Sequence, residues 1–78
     1  MEQPLTSPAD FLKRKRKQLH LTQPELAEKA GVGLRFVREL EQGKTTLRMD
    51  KVNQVLKLFG RELGAVPINR EKLLNAAR

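Results

Sequence analysis

Apolar residues recur along this chain at intervals of three and four positions, the spacing that places side chains on one face of a helix. The pattern predicts helices over about residues 8–19, 23–30, 34–42 and 49–59. Each is too short to persist alone in water, so we expect an all-α domain of four to five packed helices. The predicted core positions are Phe11, Leu12, Leu19, Leu26, Ala27, Ala30, Val37, Leu40, Met49, Val52, Val55, Leu56 and Phe59.

Residues that favour helix ends lie at the borders of these segments. Ser7-Pro8-Ala9-Asp10 and Thr22-Gln23-Pro24-Glu25 both match the capping box. In that motif a hydroxyl and an acidic side chain three positions later satisfy free amides of the first turn. Glycine tolerates the left-handed conformation that ends many helices. We expect the second, third and fourth helices to stop at Gly31, Gly43 and Gly60.

The chain beyond Gly60 has a different pattern. Residues 62–68 (ELGAVPI) are fairly apolar and contain a proline near their end. This favours a short edge strand, where proline is tolerated, and such a strand is able to pair across a dimer. Asn69 is then a candidate cap for a last helix that carries Leu73 and Leu74. We therefore divide the chain into a flexible tail, a helical domain and an extension, over residues 1–7, 8–60 and 61–78.

Basic residues are concentrated in one part of the chain. Its 78 residues carry 16 Lys and Arg against 9 Asp and Glu, which gives a net charge of +7. Residues 13–48 hold ten basic and four acidic side chains and so contribute +6 of this charge. A localised basic stripe is typical of a nucleic-acid binder, although a solvated helix surface produces the same excess.

Composition narrows the class of protein further. There are no cysteines, which excludes a disulfide framework and a thiolate metal site. No apolar run approaches the length of a membrane span or a secretory signal. With no Tyr, one His and no motif that cradles phosphates, the sequence does not favour an enzyme. We expect a soluble, cytoplasmic protein without a cofactor, a metal or a membrane contact.

The second and third predicted helices have the features of a helix-turn-helix, two helices joined by a tight turn that often contains glycine. Their crossing requires a small side chain, which Ala27 supplies, and the turn requires a glycine, which Gly31 supplies. Val37 and Leu40 are spaced to face back toward the core. Each feature is weak alone, but together they indicate a DNA-binding motif.

The residues that carry this motif resemble a known family. The pattern LTQPELAEKAGV…LEQGKT is preceded at helical spacing by Leu12, Arg16 and Leu19. It is similar, over about residues 9–60, to the DNA-binding domains of Cro-type phage repressors, the XRE-like family. The longer run from Arg35 to Gly60 resembles HipB-like antitoxins, small repressors encoded beside HipA-type kinase toxins. Gly33 departs from the family's usual Ser or Thr cap, at a cost of about a few tenths of a kcal/mol.

The resemblance implies a role for several residues. The third helix would enter the major groove with its outward N-terminal residues against base edges. Arg35 would pair with guanine, Leu34 would touch a thymine methyl and Glu39 would accept from a cytosine amine. The residues expected to contact the phosphate backbone are Gln23, Arg38, Lys44 and Thr45. Gln23 would also support the recognition helix.

Other assignments have simpler alternatives. Glu39 could instead be a solvated residue that pairs with Arg35 one helical turn away. Arg16 matches the family arginine that pairs with the glutamate at Glu41, which would join the first helix to the third. His20 and Phe36 are expected to be structural, since no second metal-ligand type lies at a suitable spacing from the histidine.

The resulting hypothesis is a homodimeric, sequence-specific repressor that binds a palindromic operator in double-stranded DNA. The HipB-like resemblance implies that it is also the antitoxin of a type II toxin-antitoxin module and binds a HipA-type kinase toxin. The alternative is a stand-alone XRE-family regulator with no toxin partner. The residues expected at the dimer or partner surface are Leu63, Val66, Ile68, Leu73 and Leu74.

Overall fold

A computed structural model describes residues 7–65 of the chain, and these form four α-helices and a short 3₁₀ turn. The all-α helix-turn-helix fold expected from the hydrophobic pattern is confirmed. The helices are α1 (Pro8–Gln18), α2 (Gln23–Ala30), α3 (Leu34–Glu41) and α4 (Met49–Leu56), and the 3₁₀ turn spans Lys57–Phe59.

The two predicted capping boxes form to different extents. At α2 the hydroxyl of Thr22 accepts from the Glu25 amide at 3.2 Å, and Glu25 Oε1 accepts from the Thr22 amide at 2.8 Å. These bonds to Thr22 lower the pKa of the Glu25 carboxyl. At α1 the Ser7 hydroxyl accepts from the Asp10 amide at 3.2 Å. Within the described residues Asp10 returns no such bond, so α1 has half of the motif.

The core lies where the four helices meet, and it contains most of the predicted positions. Leu12, Leu26, Val37 and Val55 are fully buried, one from each helix. The remaining members of the buried cluster are Ala27, Ala30, Leu40, Val52 and Leu56. Since each helix contributes a fully buried side chain, the short helices are stabilised by packing against one another.

Two predicted core positions are wrong. Leu19 is 57% exposed and Met49 is 66% exposed. Leu19 lies seven positions after Leu12, but α1 ends at Gln18 and the chain turns at His20, where φ is +56°. Met49 is the first residue of α4. Helical side chains lean toward the N-terminus, so a side chain in the first turn points beyond the end of the helix.

An aromatic contact holds the 3₁₀ turn against α1. The rings of Phe11 and Phe59 pack edge to face, with centroids 6.3 Å apart and planes at 78°. The Lys15 ammonium and the Arg61 guanidinium lie 5.9 Å and 5.6 Å from the Phe11 ring centre. Such contacts between a cation and a ring are favourable, and they fix the end of the helical domain.

The start of the predicted extension packs on the domain. Residues 61–65 contain no regular secondary structure. The Leu63 amide donates to Asn53 Oδ1 at 2.6 Å, and its side chain packs against the core. The other half of the predicted strand, the last helix, and the residues Val66, Ile68, Leu73 and Leu74 lie outside the described residues.

A search of the described part of the chain for a helix long and apolar enough to cross a membrane finds none.

Candidate nucleic-acid interface

The α2 and α3 helices pack against each other across a tight turn. Ala27 is buried on α2, and Val37 and Leu40 are buried on α3. Gly31 ends α2 with φ of +73°, the left-handed conformation that glycine adopts without steric penalty. The Val32 amide donates to the Ala27 carbonyl at 3.0 Å and closes the turn. The predicted helix-turn-helix is therefore present with its expected inner and outer faces.

Gln54 on α4 also fixes this turn, a role that no sequence motif indicates. Its Nε2 donates to the carbonyls of Ala30 at 2.8 Å and Gly31 at 3.1 Å. Carbonyls at a helix C-terminus have no partner inside the helix. Gln54 satisfies two of them and ties α4 to the C-terminal end of α2, just before the turn to α3. A side-chain amide that bridges 23 or 24 positions leaves no short-range pattern for sequence reasoning to detect.

A buried ion pair joins α1 to α3. Arg16 Nε donates to Glu41 Oε2 at 2.7 Å, and Arg16 Nη2 donates to Glu41 Oε1 at 3.0 Å. The third donor, Nη1, bonds the Leu21 carbonyl at 2.9 Å. The side chain of Glu41 is 2% exposed and that of Arg16 is 14% exposed. The geometry is bidentate, which is the strongest arrangement of an arginine with a carboxylate.

The electrostatics of this pair favour its charged form. Burial acts to raise the pKa of the Glu41 carboxyl, but hydrogen bonds from Arg16 and Gln23 and the charges of Arg16 and Lys13 lower it on balance. The hydrogen bond with Glu41 raises the pKa of Arg16, against the effect of burial. Both groups therefore remain ionised at neutral pH.

Gln23, the first residue of α2, belongs to the same network. Its Nε2 donates to Glu41 Oε1 at 3.1 Å. The side chain is half-buried and lies at the N-terminal end of α2, where free amides favour a phosphate. Gln23 thus contacts α3, while its expected contact with a phosphate stays a prediction.

The outward residues of α3 and the loop that follows form a charged face, which we call the recognition surface. Its members are Arg35, Arg38, Glu39, Lys44 and Thr45. The side chain of Arg35 is 91% exposed, so the guanidinium reaches beyond the helix. Arg38 and Thr45 are exposed as well. Leu34 is different, because it is half-buried and packs against the core, which leaves only part of its side chain exposed.

Glu39 lies between two cations of the recognition surface. Its Oε1 is 3.6 Å from Arg35 Nε, the predicted pairing one helical turn away. Its Oε2 forms a closer ion pair with the Lys44 ammonium, a contact that the helical spacing does not predict. The hydrogen bond from Lys44, together with the charges of Lys44 and Arg35, lowers the pKa of Glu39 and outweighs burial, which acts to raise it. The Glu39 carboxylate is therefore ionised and pairs with both cations.

The loop after α3 is also held by its backbone. The Lys44 amide donates to the Glu39 carbonyl at 3.1 Å, and the Gly43 amide donates to the Leu40 carbonyl at 3.1 Å. Lys44 keeps 46% of its side chain exposed despite the pairing with Glu39. Its ammonium is thus positioned beside α3 and still reaches solvent.

Among residues 7–65, no group of acidic and histidine side chains is arranged to hold a metal ion.

Comparison with known proteins agrees with this geometry. A helix-turn-helix family model matches residues 12–66. The chain is also similar to an uncharacterized HTH-type transcriptional regulator, y4mF, from Sinorhizobium fredii (strain NBRC 101917 / NGR234). The two are 46% identical over 63 residues, which cover 77% of this chain and 83% of the relative.

Proposed function

The chain belongs to the helix-turn-helix family of DNA-binding transcriptional regulators, which are not enzymes, and from this premise we propose that it is a sequence-specific repressor of transcription. The observation that carries the proposal is the recognition surface. A 91% exposed arginine stands at the N-terminal end of α3, and that helix is fixed to α1 by the Arg16–Glu41 pair. A rigid helix that presents an arginine in this way fits the major groove.

In this proposal the recognition surface divides between bases and phosphates. Arg35 reads a guanine through its N7 and O6 acceptors, and the exposed part of Leu34 contacts a thymine methyl. Arg38, one turn further along α3, and Lys44, in the loop that follows, bind phosphates. Thr45 and Gln23, which are uncharged, donate hydrogen bonds to the phosphate backbone of the DNA. The net charge of +7 strengthens every such contact and makes binding sensitive to salt.

We further propose that the operator is palindromic and that a homodimer binds it. Two copies of α3 related by a two-fold axis read half-sites about one helical turn, roughly 34 Å, apart. A single copy of α3 is too short to specify an operator, since its eight residues reach only a few base pairs. Dimerisation doubles the number of bases that are read. The extension over residues 61–78 is proposed as the dimer and partner region.

Arg35→Ala tests the assignment of the recognition helix. Loss of the bidentate contact should cost about 1–3 kcal/mol on the cognate duplex and relax preference at one base pair. The measurement is a titration of cognate and random duplexes at one salt concentration. Lys57→Ala is the matched control, because it removes one exposed positive charge from the 3₁₀ turn rather than from α3. Equal losses on cognate and random DNA would reduce Arg35 to a phosphate contact.

A finer proposal concerns the biological partner. We infer that the protein is the antitoxin of a type II toxin-antitoxin module, represses its own operon and binds a HipA-type kinase toxin. The support is the resemblance of the run from Arg35 to Gly60 to HipB-like antitoxins. A stand-alone regulator of the same family is the alternative. Purification of the native complex, with identification of a co-purifying kinase-like chain, separates the two: recovery of the regulator and DNA alone favours the alternative.

A further inference from the structure

Glu39 places a negative charge in the middle of a surface that is proposed to bind a polyanion. The carboxylate contacts the cations of both Arg35 and Lys44. Its side chain is 23% exposed, so part of it remains open to a bound duplex. A separate contact, the buried pair of Arg16 and Glu41, holds α3 to α1. The arrangement therefore calls for a role in binding.

We propose that Glu39 determines the specificity of DNA binding by opposing attachment to non-cognate duplexes. The inference rests on the proposed DNA-binding role of α3 and concerns the same surface. In the free protein Glu39 neutralises part of the charge of Arg35 and Lys44. A duplex must compete with the carboxylate for both cations before it gains their contacts.

On random DNA this competition is a net loss. A phosphate oxygen that approaches Arg35 or Lys44 displaces one ion pair to form another, and it also approaches the Glu39 carboxylate. Exchange of one exposed ion pair for another yields little free energy, because such pairs are individually weak. Repulsion between the carboxylate and the phosphate adds to the cost. Non-specific binding, which depends almost entirely on phosphate contacts, is weakened most.

On a cognate site the carboxylate gains a partner of its own. Residues four positions apart on a helix lie about 5–6 Å from each other. Base pairs are stacked about 3.4 Å apart, so Glu39 reaches one or two base pairs from the guanine read by Arg35. A cytosine there offers its amino group, which a glutamate accepts. The cost of breaking the pairs to Arg35 and Lys44 is then offset on this sequence and not on others.

Glu39→Gln tests the inference, because glutamine keeps the shape of the side chain and removes only the charge. Glu28→Gln is the control: it changes the net charge equally, at an exposed position of α2 that forms no ion pair in the part of the chain the structure describes. Cognate duplex is first selected with the wild-type protein from a randomised library. Affinity for cognate and random duplexes is then measured over a range of salt concentrations.

Glu39→Gln should bind random duplex about two- to fivefold more tightly than wild type, the range expected from release of exposed ion pairs. Its affinity should fall more steeply with salt, because freed cations neutralise more phosphates. Replacing the cytosine read by Glu39 should weaken wild type about fivefold or more and leave the variant nearly unaffected. Glu28→Gln should reproduce the wild-type preference.

An unchanged ratio of cognate to random affinity in Glu39→Gln overturns the inference. So does an equal gain on random duplex in both variants, which would show only the effect of net charge. These results leave the proposed function intact, provided that wild type selects a cognate duplex. Failure of wild type to select any duplex removes the proposed function as well, so the two failures are distinguishable. Thermal unfolding of both variants shows that the domain remains folded.

Discussion

Replacement of Arg16 by methionine should destabilise the domain by about 3–5 kcal/mol, the range for removal of one partner of a buried ion pair. The carboxylate of Glu41 is 2% exposed and would be left without the two donors that Arg16 provides. The Leu21 carbonyl would lose its donor as well. A loss of this size is comparable with the whole stability of many small domains, so the variant should melt far below wild type.

Two further variants separate the ion pair from other causes. Arg14→Met makes the same substitution at an exposed position of α1 and should melt close to wild type. Arg16→Met combined with Glu41→Leu should recover most of the lost stability, because an apolar pair of similar volume often replaces a buried ion pair without cost. If Arg16→Met were as stable as wild type and yet failed to bind DNA, Arg16 would be a contact residue and the structural role would be wrong.

The same pair predicts a dependence on pH. The pKa of Glu41 is lower in the folded protein than in the unfolded chain, so its contribution is fully present above the unfolded value, about 4.3. That contribution is lost as the pH falls through the lower, folded value. Wild type should therefore lose more stability than the double variant when unfolding is followed from pH 6 to pH 2. The pKa values of Glu25, Glu39 and Asp50 are also lowered. Because both proteins contain these carboxyls, their contributions to the pH dependence cancel in the comparison.

The fold could be predicted from the sequence because its signals are local. The cap at Thr22 and the stop at Gly31 each depend on a few adjacent residues, and both are present. Apolar spacing failed at Leu19 and Met49, where a helix has just ended or has just begun. Periodicity states which residues share a face while a helix continues. Periodicity alone does not indicate where a helix begins or ends.

The contacts around the recognition helix could be predicted only in part. The pairing of Arg35 with Glu39 follows from helix geometry, since the residues are four apart. The closer pairing of Glu39 with Lys44 depends on how the chain turns after α3, and the bonds of Gln54 depend on how α4 packs against α2. Such contacts follow from tertiary packing. They are also the contacts that restrain the cations of the recognition surface and the turn before it.

Contacts at Leu63 alter the best test of the proposed dimer region. The proposed extension begins after Gly60, but Leu63 packs on the core and its amide donates to Asn53. A truncation after Gly60 would therefore disturb the domain itself. Truncation after Ala65 keeps these contacts and removes only residues 66–78. The chain truncated after Ala65 should melt, at low concentration, near the temperature at which the helical domain of the full chain melts. This measurement is the control for folding.

Truncation after Ala65 should convert a dimer into a monomer and weaken operator binding by about 10²-fold or more. The removed residues include Val66, Ile68, Leu73 and Leu74, which are the apolar side chains proposed to bind a second copy. A dimer engages its second half-site at an effective concentration near the millimolar range, and a monomer loses that advantage. Sedimentation gives the oligomeric state, and titration of duplexes with one or two half-sites gives the affinity. Binding to the single half-site should be nearly unchanged. A truncated chain that sediments as a dimer and binds the full operator undiminished would show that the proposed dimer region is wrong. The interface would then lie on the helical domain, where Met49 and Leu58 are exposed.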